Sequence, residues 1–357
     1  MSIQRCNTIV RGPAIVQFYY ETRSTPTSQP TPHTYTFRTK GDVVFTPENQ
    51  TFNVESSELG TIDRRASELM RTVRFTPVGV IDADGVDLLW PHLDKLPGQS
   101  LFPSDHDMTC TIIPIVAGTD TYDKIKLWNV TVSKMPDIFI SAVQTQIGEV
   151  EIRGILDDNY DWGLESHVSF YADHIAPSLE NLNPANIPTV PGIVSWGSYM
   201  TDIKTAEGVR FSFDMDTQDE VEDESGIYDI TLTGLKATAR LVPVAGFDMS
   251  LLADILHEND DQLRGSSIYR DDLVVTSRDP GGLAVTLYNA ALLSVPMSYG
   301  ATSRRFGELA FEGVRGVGNA IAAVSIVSRA RPRPVTKTAE EESNGEGGES
   351  SGTGTGT

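Results

Sequence analysis

The chain contains the same segment twice, and this internal repeat constrains the fold more than any other feature. Short phrases that begin at Pro13, Glu58, Arg74, Leu127 and Gly148 recur, in the same order, from Pro191, Glu224, Arg240, Leu287 and Gly307. The spacing between matched phrases shrinks in small steps along the chain, as loops of different length in two copies would produce. Because chance matches would not keep one order, we expect an architecture built from two related units.

The repeat predicts two domains followed by a tail. We expect a first domain over residues 1–175 and a second over residues 176–330, each long enough to bury its own core. The join at 176–191 contains four prolines and is interpreted as an ordered linker. Residues 331–357 are rich first in Pro and Arg, then in Glu, Ser and Gly, and finally in Gly and Thr. Such a composition cannot build a core, so we expect a disordered tail.

Each copy is predicted to be mainly β (α+β), with one helical piece. Apolar and charged residues alternate around Val150 and Ile152, and again around Leu309 and Phe311, which is typical of strands with one buried face. The same alternation occurs at residues 73–76 and 239–242, and the segments 125–132 and 283–287 are rich in residues that favour strands. Helical spacing of apolar residues predicts helices over 86–93 and 249–256. Their candidate N-caps are Asp82 or Asp84 for the first and Asp248 for the second.

The charge balance excludes one large class of function. The chain has 28 basic and 49 acidic residues, a formal net charge of −21. A nucleic-acid binder needs the opposite sign to neutralise phosphates, so we expect no affinity for DNA or RNA. Solubility alone is the simplest interpretation of this acidity.

Cysteine usage and hydropathy limit where the protein is expected to work. Cys6 and Cys110 have no counterparts in the second copy, which excludes a repeated disulfide framework and favours a reducing compartment. The first residues lack an apolar run of signal-peptide length, so no classical secretion signal is expected. The most apolar late stretch, residues 320–327, is too short to cross a bilayer. We therefore expect no membrane segment.

Motifs that carry catalysis or hold metals are missing from the sequence. It has no Gly-x-Gly-x-x-Gly, no phosphate loop and no nucleophile elbow between a predicted strand and a predicted helix. The best metal candidate, Asp105-His106-Asp107 with Cys110, mixes hard and soft ligands, and the matching part of copy two has neither His nor Cys. The acidic run from Asp214 lacks the spacing of a calcium loop. We expect no metal, no cofactor and no enzymatic activity.

The repeat unit resembles a known family. The segment Gly41–Pro47, the stretch from Ser67 to Gly79, the helical Asp87-Leu88-Leu89 and the closing strand Gly148–Ile152 look similar to the tail tube proteins of long-tailed (siphovirus-type) bacteriophages. The resemblance implies two tandem tail-tube-type β-sandwich domains, each with a short flanking α-helix and a hairpin loop that reaches the next ring. In that family, six domains join their inner sheets into one continuous barrel, and the rings stack into a tube.

The resemblance implies a structural protein of the virion, made in the bacterial host cytoplasm, whose tube conducts DNA into the host. Its partners would be itself, the tape measure, the terminator and the distal tail protein, while double-stranded DNA would pass without specific binding. Two domains per chain allow three chains to form a pseudo-sixfold ring, or six chains to place one copy outside the tube. Because the whole strand pattern is retained in both copies, we favour three chains.

Acidic residues are the candidates for the lumen wall or for contacts between rings. An acidic wall would repel phosphate, so DNA would slide without sticking. The acidic loop of copy two is as suited to meeting the next ring as to facing DNA. The strand candidates are Glu149, Glu151, Glu308 and Glu312; the loop candidates are Asp214, Asp216, Asp219, Glu220, Glu222, Asp223 and Glu224.

Three other functions remain open from the sequence. A tail terminator or a distal tail ring protein would share the sandwich but would act as one ring without forming long tubes. A tandem β-sandwich binding module, for example for glycans, would expose aromatic side chains on one face and stay monomeric. The weakest alternative is an acidic enzyme with a carboxylate pair, and no pair of acids in the sequence stands out for that role.

Overall fold

The protein is mostly β-structure. The computed structural model describes residues 14–22, 31–56, 58, 60–79, 81–102, 108–114, 121–141, 145–155, 168–175, 193–197, 200–222, 226–244, 269–277, 282–299, 304–314 and 323–328. Within these ranges the chain forms 22 strands and one helix, and all of the strand pairs are antiparallel. The predicted linker at 176–191 and the predicted tail at 331–357 lie outside the described residues.

The strands divide between the two repeats. The strands of the first repeat are β1 (Ala14–Thr22), β2 (Thr31–Thr39), β3 (Val44–Ser56), β4 (Gly60–Phe75), β5 (Pro77–Val78), β6 (Thr109–Pro114), β7 (Thr121–Leu127), β8 (Val130–Lys134), β9 (Ile138–Ile140), β10 (Thr145–Ile147), β11 (Val150–Gly154) and β12 (Val168–Ile175). The strands of the second repeat are β13 (Ile193–Trp196), β14 (Met200–Ile203), β15 (Thr205–Glu222), β16 (Gly226–Pro243), β17 (Arg270–Thr276), β18 (Leu283–Ser294), β19 (Met297–Tyr299), β20 (Arg304–Phe306), β21 (Leu309–Glu312) and β22 (Val324–Ser328).

Most strands of the first repeat form two sheets that pack against each other. One sheet has the order β12-β7-β6-β1-β2-β5, and the other has the order β3-β4-β11-β8. Phe75 of the second sheet contacts two aromatic side chains of the first, with ring centroids 6.4 Å from Phe18 and 6.0 Å from Phe37. Aromatic pairs at this separation pack favourably and hold the two layers together.

The second repeat uses the same strand neighbours in one larger sheet. Its order is β10-β9-β15-β16-β21-β18-β17-β13-β14, with β22 also paired to β18. The long β18 runs through positions that the first repeat divides between β7 and β8. The segment 125–132, whose residues favour strands, lies in β7 and β8, and the chain turns between them at Asn129, whose φ is +44°. Its counterpart Asn289 has nearly the same φ, +47°, so the repeat extends to backbone conformation.

The helix, α1 (Ala83–Leu89), begins and ends earlier than the predicted range of 86–93. Asp82 is its N-cap, because its side chain accepts a hydrogen bond from the Gly85 amide at 3.1 Å. The helix ends at Leu89, two residues before Pro91. Proline has no amide hydrogen, so a helix that continued through Pro91 would lose a backbone hydrogen bond. The predicted helix over 249–256 and its cap Asp248 lie outside the described residues.

The core is continuous across both repeats. Val150, Ile152, Leu309 and Phe311 are fully buried, which confirms the alternation predicted for these strands. The Trp90 ring of the first repeat lies 6.5 Å from the Phe213 ring of the second, inside one apolar cluster that draws residues from both. The repeats therefore share buried surface and do not pack as two separate cores.

Candidate assembly interface

The large sheet crosses from one repeat to the other at a single strand pair within the described chain. The hairpin of β9 and β10 belongs to the first repeat, and its strand β9 adds to the outer edge of β15. Phe139 lies opposite Arg210, and the neighbouring Ile138 lies opposite Phe211. Ile138, Ile140 and Phe211 are almost completely buried. The first repeat thus supplies the strand that completes the sheet of the second.

A glycine permits the close approach at the end of this strand pair. Gly208 has a φ of +103°, in the region that favours glycine. A Cβ atom on Gly208 would collide with the carbonyl oxygen of Ile140 and with the Cα atom of Ser141. We call the junction between β9 and β15 the seam between the repeats. It requires glycine at position 208 for two independent reasons: the positive φ and the close approach of Ile140 and Ser141.

An ion pair crosses the same seam on its solvent face. The Arg210 guanidinium donates to Asp137 Oδ2 at 3.2 Å, and the two side chains are 62% and 35% exposed. An exposed pair of this kind contributes at most about 1 kcal/mol. Its main effect is to match one hairpin to one strand edge, because a different edge would leave both charges without this partner.

Two open grooves flank the ion pair. Their volumes are about 380 Å³ and 440 Å³, and both are lined by Phe139 and Arg210. Charged side chains, including Glu308 in one groove and Glu149 in the other, line much of the remainder. Small-molecule sites are usually concave and mostly apolar, so the shape and polarity of these grooves favour contact with a large surface.

A second contact joins the repeats at the long hairpin of β15 and β16. Its outer half lies against residues 96–102 of the first repeat, where the Gly98 amide donates to Leu232 and the Leu101 amide donates to Ile230, each at 2.7 Å. A small apolar cluster forms beneath these hydrogen bonds. Its buried members are Leu101, Ile155, Ile227, Ile230 and Leu232.

An arginine fixes the outer part of this hairpin. The Arg153 guanidinium makes two hydrogen bonds to the Asp219 carboxylate, at 3.0 Å and 2.9 Å. Its side chain is only 12% exposed. A bidentate, charge-assisted pair is among the stronger polar contacts. Asp219 was predicted as a candidate for the lumen or for the next ring, and it lies against the first repeat of its own chain.

Three of the four strand acids are also paired. Glu149 is exposed, while Glu151, Glu308 and Glu312 each lie beside a basic side chain of a neighbouring strand. The distances are 2.7 Å for Arg74–Glu151, 3.4 Å for Arg240–Glu308 and 2.9 Å for Lys236–Glu312. The sequence reasoning missed these basic partners, although Arg74 and Arg240 stand at matched positions of the repeat. These acids therefore belong to pairs of opposite charge on the exposed sides of their sheets.

The remaining loop acids differ in exposure and in hydrogen bonding. Asp214 and Asp216 are exposed on β15, and Glu220 accepts a hydrogen bond from Thr231 Oγ1 at 3.2 Å. The side chain of Glu222 and the residues Asp223 and Glu224 lie outside the described part of the chain.

Buried titratable groups serve packing in the described core. The pKa of His92 is lowered to about 4, first by burial and then by the charge of Lys95, so the ring is neutral at pH 7. Its Nε2 lies 2.9 Å from the carbonyl oxygen of Val132 and donates to it in the matching tautomer. Burial raises the pKa of the Cys110 thiol, which keeps it protonated and unreactive.

Only Cys110 of the metal candidate lies within the described residues. Residues 105–107 lie outside the described ranges, and Cys110 is buried. Among the residues with described positions, no group of three His, Cys, Asp or Glu side chains could hold a metal ion.

No family model and no curated protein matches the chain. No helix within the described ranges is both long and apolar enough to span a membrane.

Proposed function

We propose that this protein is a structural virion protein that polymerises into stacked rings and forms the tail tube of a long-tailed phage. The observation that carries the proposal is the addition of β9 to β15, which extends one sheet from the first repeat into the second. Edge-to-edge addition can continue from chain to chain until the ring closes and leaves no exposed edge.

The two ends of the chain's sheets suit such closure. β3 is an edge strand of its four-stranded sheet, and β19 with β20 forms a separate two-stranded sheet. These are the elements that correspond to β15 and to the β9–β10 hairpin in the other repeat. A ring of three chains would contain six repeats. In it, the β3 edge of each chain and the β19–β20 hairpin of each chain would each take part in one junction between chains.

The exposed side of the strands that carry the ion pairs of Arg74, Arg210 and Arg240, here called the charged face, is compatible with a channel for DNA. Arg74, Arg210 and Arg240 are all exposed, and each is paired with a carboxylate of the same face. Phosphates would compete poorly for cations that already have partners, and the net charge of −21 repels DNA at longer range. We therefore place this face toward the lumen, where it would pass DNA without holding it.

Electron microscopy of negatively stained protein, combined with mass measurement by light scattering, tests the proposal. Hollow tubes or stacked annuli, with free species near three times 38.9 kDa, are the expected result. Single rings that never stack would favour a terminator or a distal ring protein. A compact monomer at every concentration, even with a tape-measure protein added, would favour a monomeric binding module.

A further inference from the structure

The seam inside the chain provides a template for a seam between chains. In the second repeat, Arg210 of β15 lies opposite Arg240 of β16, and the β9 hairpin covers the outer edge of β15. In the first repeat, Val44 of β3 lies opposite Arg74 of β4. Because Arg74 and Arg240 are matched in the repeat, Val44 occupies the position of Arg210.

The two hairpins correspond in the same way. The Gly148 amide donates to the Asp137 carbonyl at 2.8 Å, and the matched Gly307 amide donates to the Pro296 carbonyl at 2.7 Å. The adjacent pairs Ile147–Ile138 and Phe306–Met297 follow in equal register. Pro296 therefore occupies the position of Asp137.

We propose that the β19–β20 hairpin of one chain adds to the β3 edge of a second copy, with Val44 and Pro296 at the positions where Arg210 and Asp137 pair within the chain. In this register Ser298 lies opposite Val44, and Met297 lies opposite Phe45. The inference rests on the proposed function and names the interface that closes the ring.

Exposure and chemistry support this contact. Val44 is 49% exposed, and Pro296 is exposed as well. Both residues are apolar, so burying them at the junction between chains removes apolar surface from water. The corner before the strand differs slightly, because the positive φ falls at Gly41, one residue before the position of Gly208. We therefore define the shared register from Val44 onward.

The difference between the two seams specifies the order of repeats around the ring. If the β19 hairpin occupied the β15 edge, Arg210 would face Pro296 instead of a carboxylate. If the β9 hairpin occupied the β3 edge, Asp137 would face Val44. Each exchange leaves a charge partly desolvated without its partner, which disfavours like-with-like joining and favours strict alternation.

Disulfide trapping tests the register directly. In a Cys6→Ser background, Val44→Cys and Ser298→Cys would stand opposite each other across the seam, within the reach of a disulfide after small adjustment. Oxidation should give cross-linked dimers and trimers on a non-reducing gel, and each single cysteine variant should give none. Rings that form in the microscope without any cross-link would overturn this seam and leave the proposed function standing.

Other outcomes of the same experiment are also decisive. Cross-linked trimers that form isolated rings and never stack would support the seam and overturn the tube. A wild-type chain that stays monomeric at every concentration, even with a tape-measure protein added, together with a double-cysteine variant that gives no cross-link, would overturn both.

Charge substitutions test the ordering role. Val44→Arg or Pro296→Asp alone should raise the protein concentration needed for ring assembly by about tenfold or more, because each leaves an unpartnered charge at the seam. The double variant should recover most of the loss, since it recreates the Arg210–Asp137 pair. Val327→Arg is the matched control, because Val327 is 55% exposed and lies on β22, away from the seam. Equal effects of Val44→Arg and Val327→Arg would overturn the proposal.

Discussion

At the scale of single residues, the matched asparagines show how local chemistry carries the repeat. Asn129 and Asn289 are the two non-glycine residues with positive φ within the described ranges. Asparagine tolerates this conformation better than most residues because its short polar side chain can hydrogen-bond locally. The carbonyl of Asn129 also accepts from the Ile155 amide at 3.2 Å, which fixes the turn against the end of β11.

His92 makes stability depend on pH. Its pKa of about 4 in the folded protein lies below the ordinary value of 6.5, so the unfolded chain binds a proton first as the pH falls. Stability from this group is complete above about pH 6.5 and is lost progressively down to about pH 4. We expect a loss of about 1 kcal/mol between pH 7 and pH 5.5, measured by urea unfolding. His92→Gln should lack this component, and equal pH dependence in both proteins would contradict the assignment.

At the scale of elements, the seam between β9 and β15 depends on Gly208. We expect Gly208→Ala to reduce the free energy of unfolding by about 2 kcal/mol or more, because it adds a collision with Ile140 to the strain of positive φ. Hydrogen exchange should show lost protection in β9 and in the facing part of β15. Gly41→Ala is the control, since Gly41 also has a positive φ but has open space around its Cβ position. Equal losses in both variants would mean that strain alone is responsible.

The outer half of the β15–β16 hairpin depends on the Arg153–Asp219 pair. Asp219→Asn would leave the largely buried guanidinium without a carboxylate, and we expect a loss of about 1–3 kcal/mol in stability. Limited proteolysis should then cut the hairpin faster. Asp216→Asn removes the same charge from an exposed position of the same strand, so it should change little. A similar change in both variants would show that general charge, rather than the pair, holds the hairpin.

The elements also show what the sequence could and could not predict. Period-two alternation correctly predicted the buried faces of β11 and β21, because burial of a strand is encoded locally. The addition of β9 to β15 was not predicted. A strand of three residues is too short to show a clear alternation, and its partner residues lie about 70 positions later in the chain. The ion pair between Arg74 and Glu151 was missed for the same reason, so the face was expected to be more acidic than it is.

At the scale of the whole molecule, the net charge opposes ring assembly and the apolar seam between chains favours it. Each chain has a formal charge of −21, so three chains in one ring would hold −63 and would repel one another at low ionic strength. The proposed seam between chains is apolar at Val44 and Pro296, so screening should remove repulsion without weakening the contact.

Ring assembly should therefore increase with salt. Between about 20 mM and about 300 mM sodium chloride, where the Debye length falls from roughly 20 Å to below 10 Å, we expect the assembled fraction to rise. Sedimentation velocity at a fixed protein concentration measures this fraction. The Val44→Arg, Pro296→Asp double variant provides the comparison, because its seam gains an ion pair that salt weakens, and its assembly should rise less steeply. If rings of the wild-type chain dissociate as salt increases, charge pairs rather than apolar surface hold neighbouring chains together.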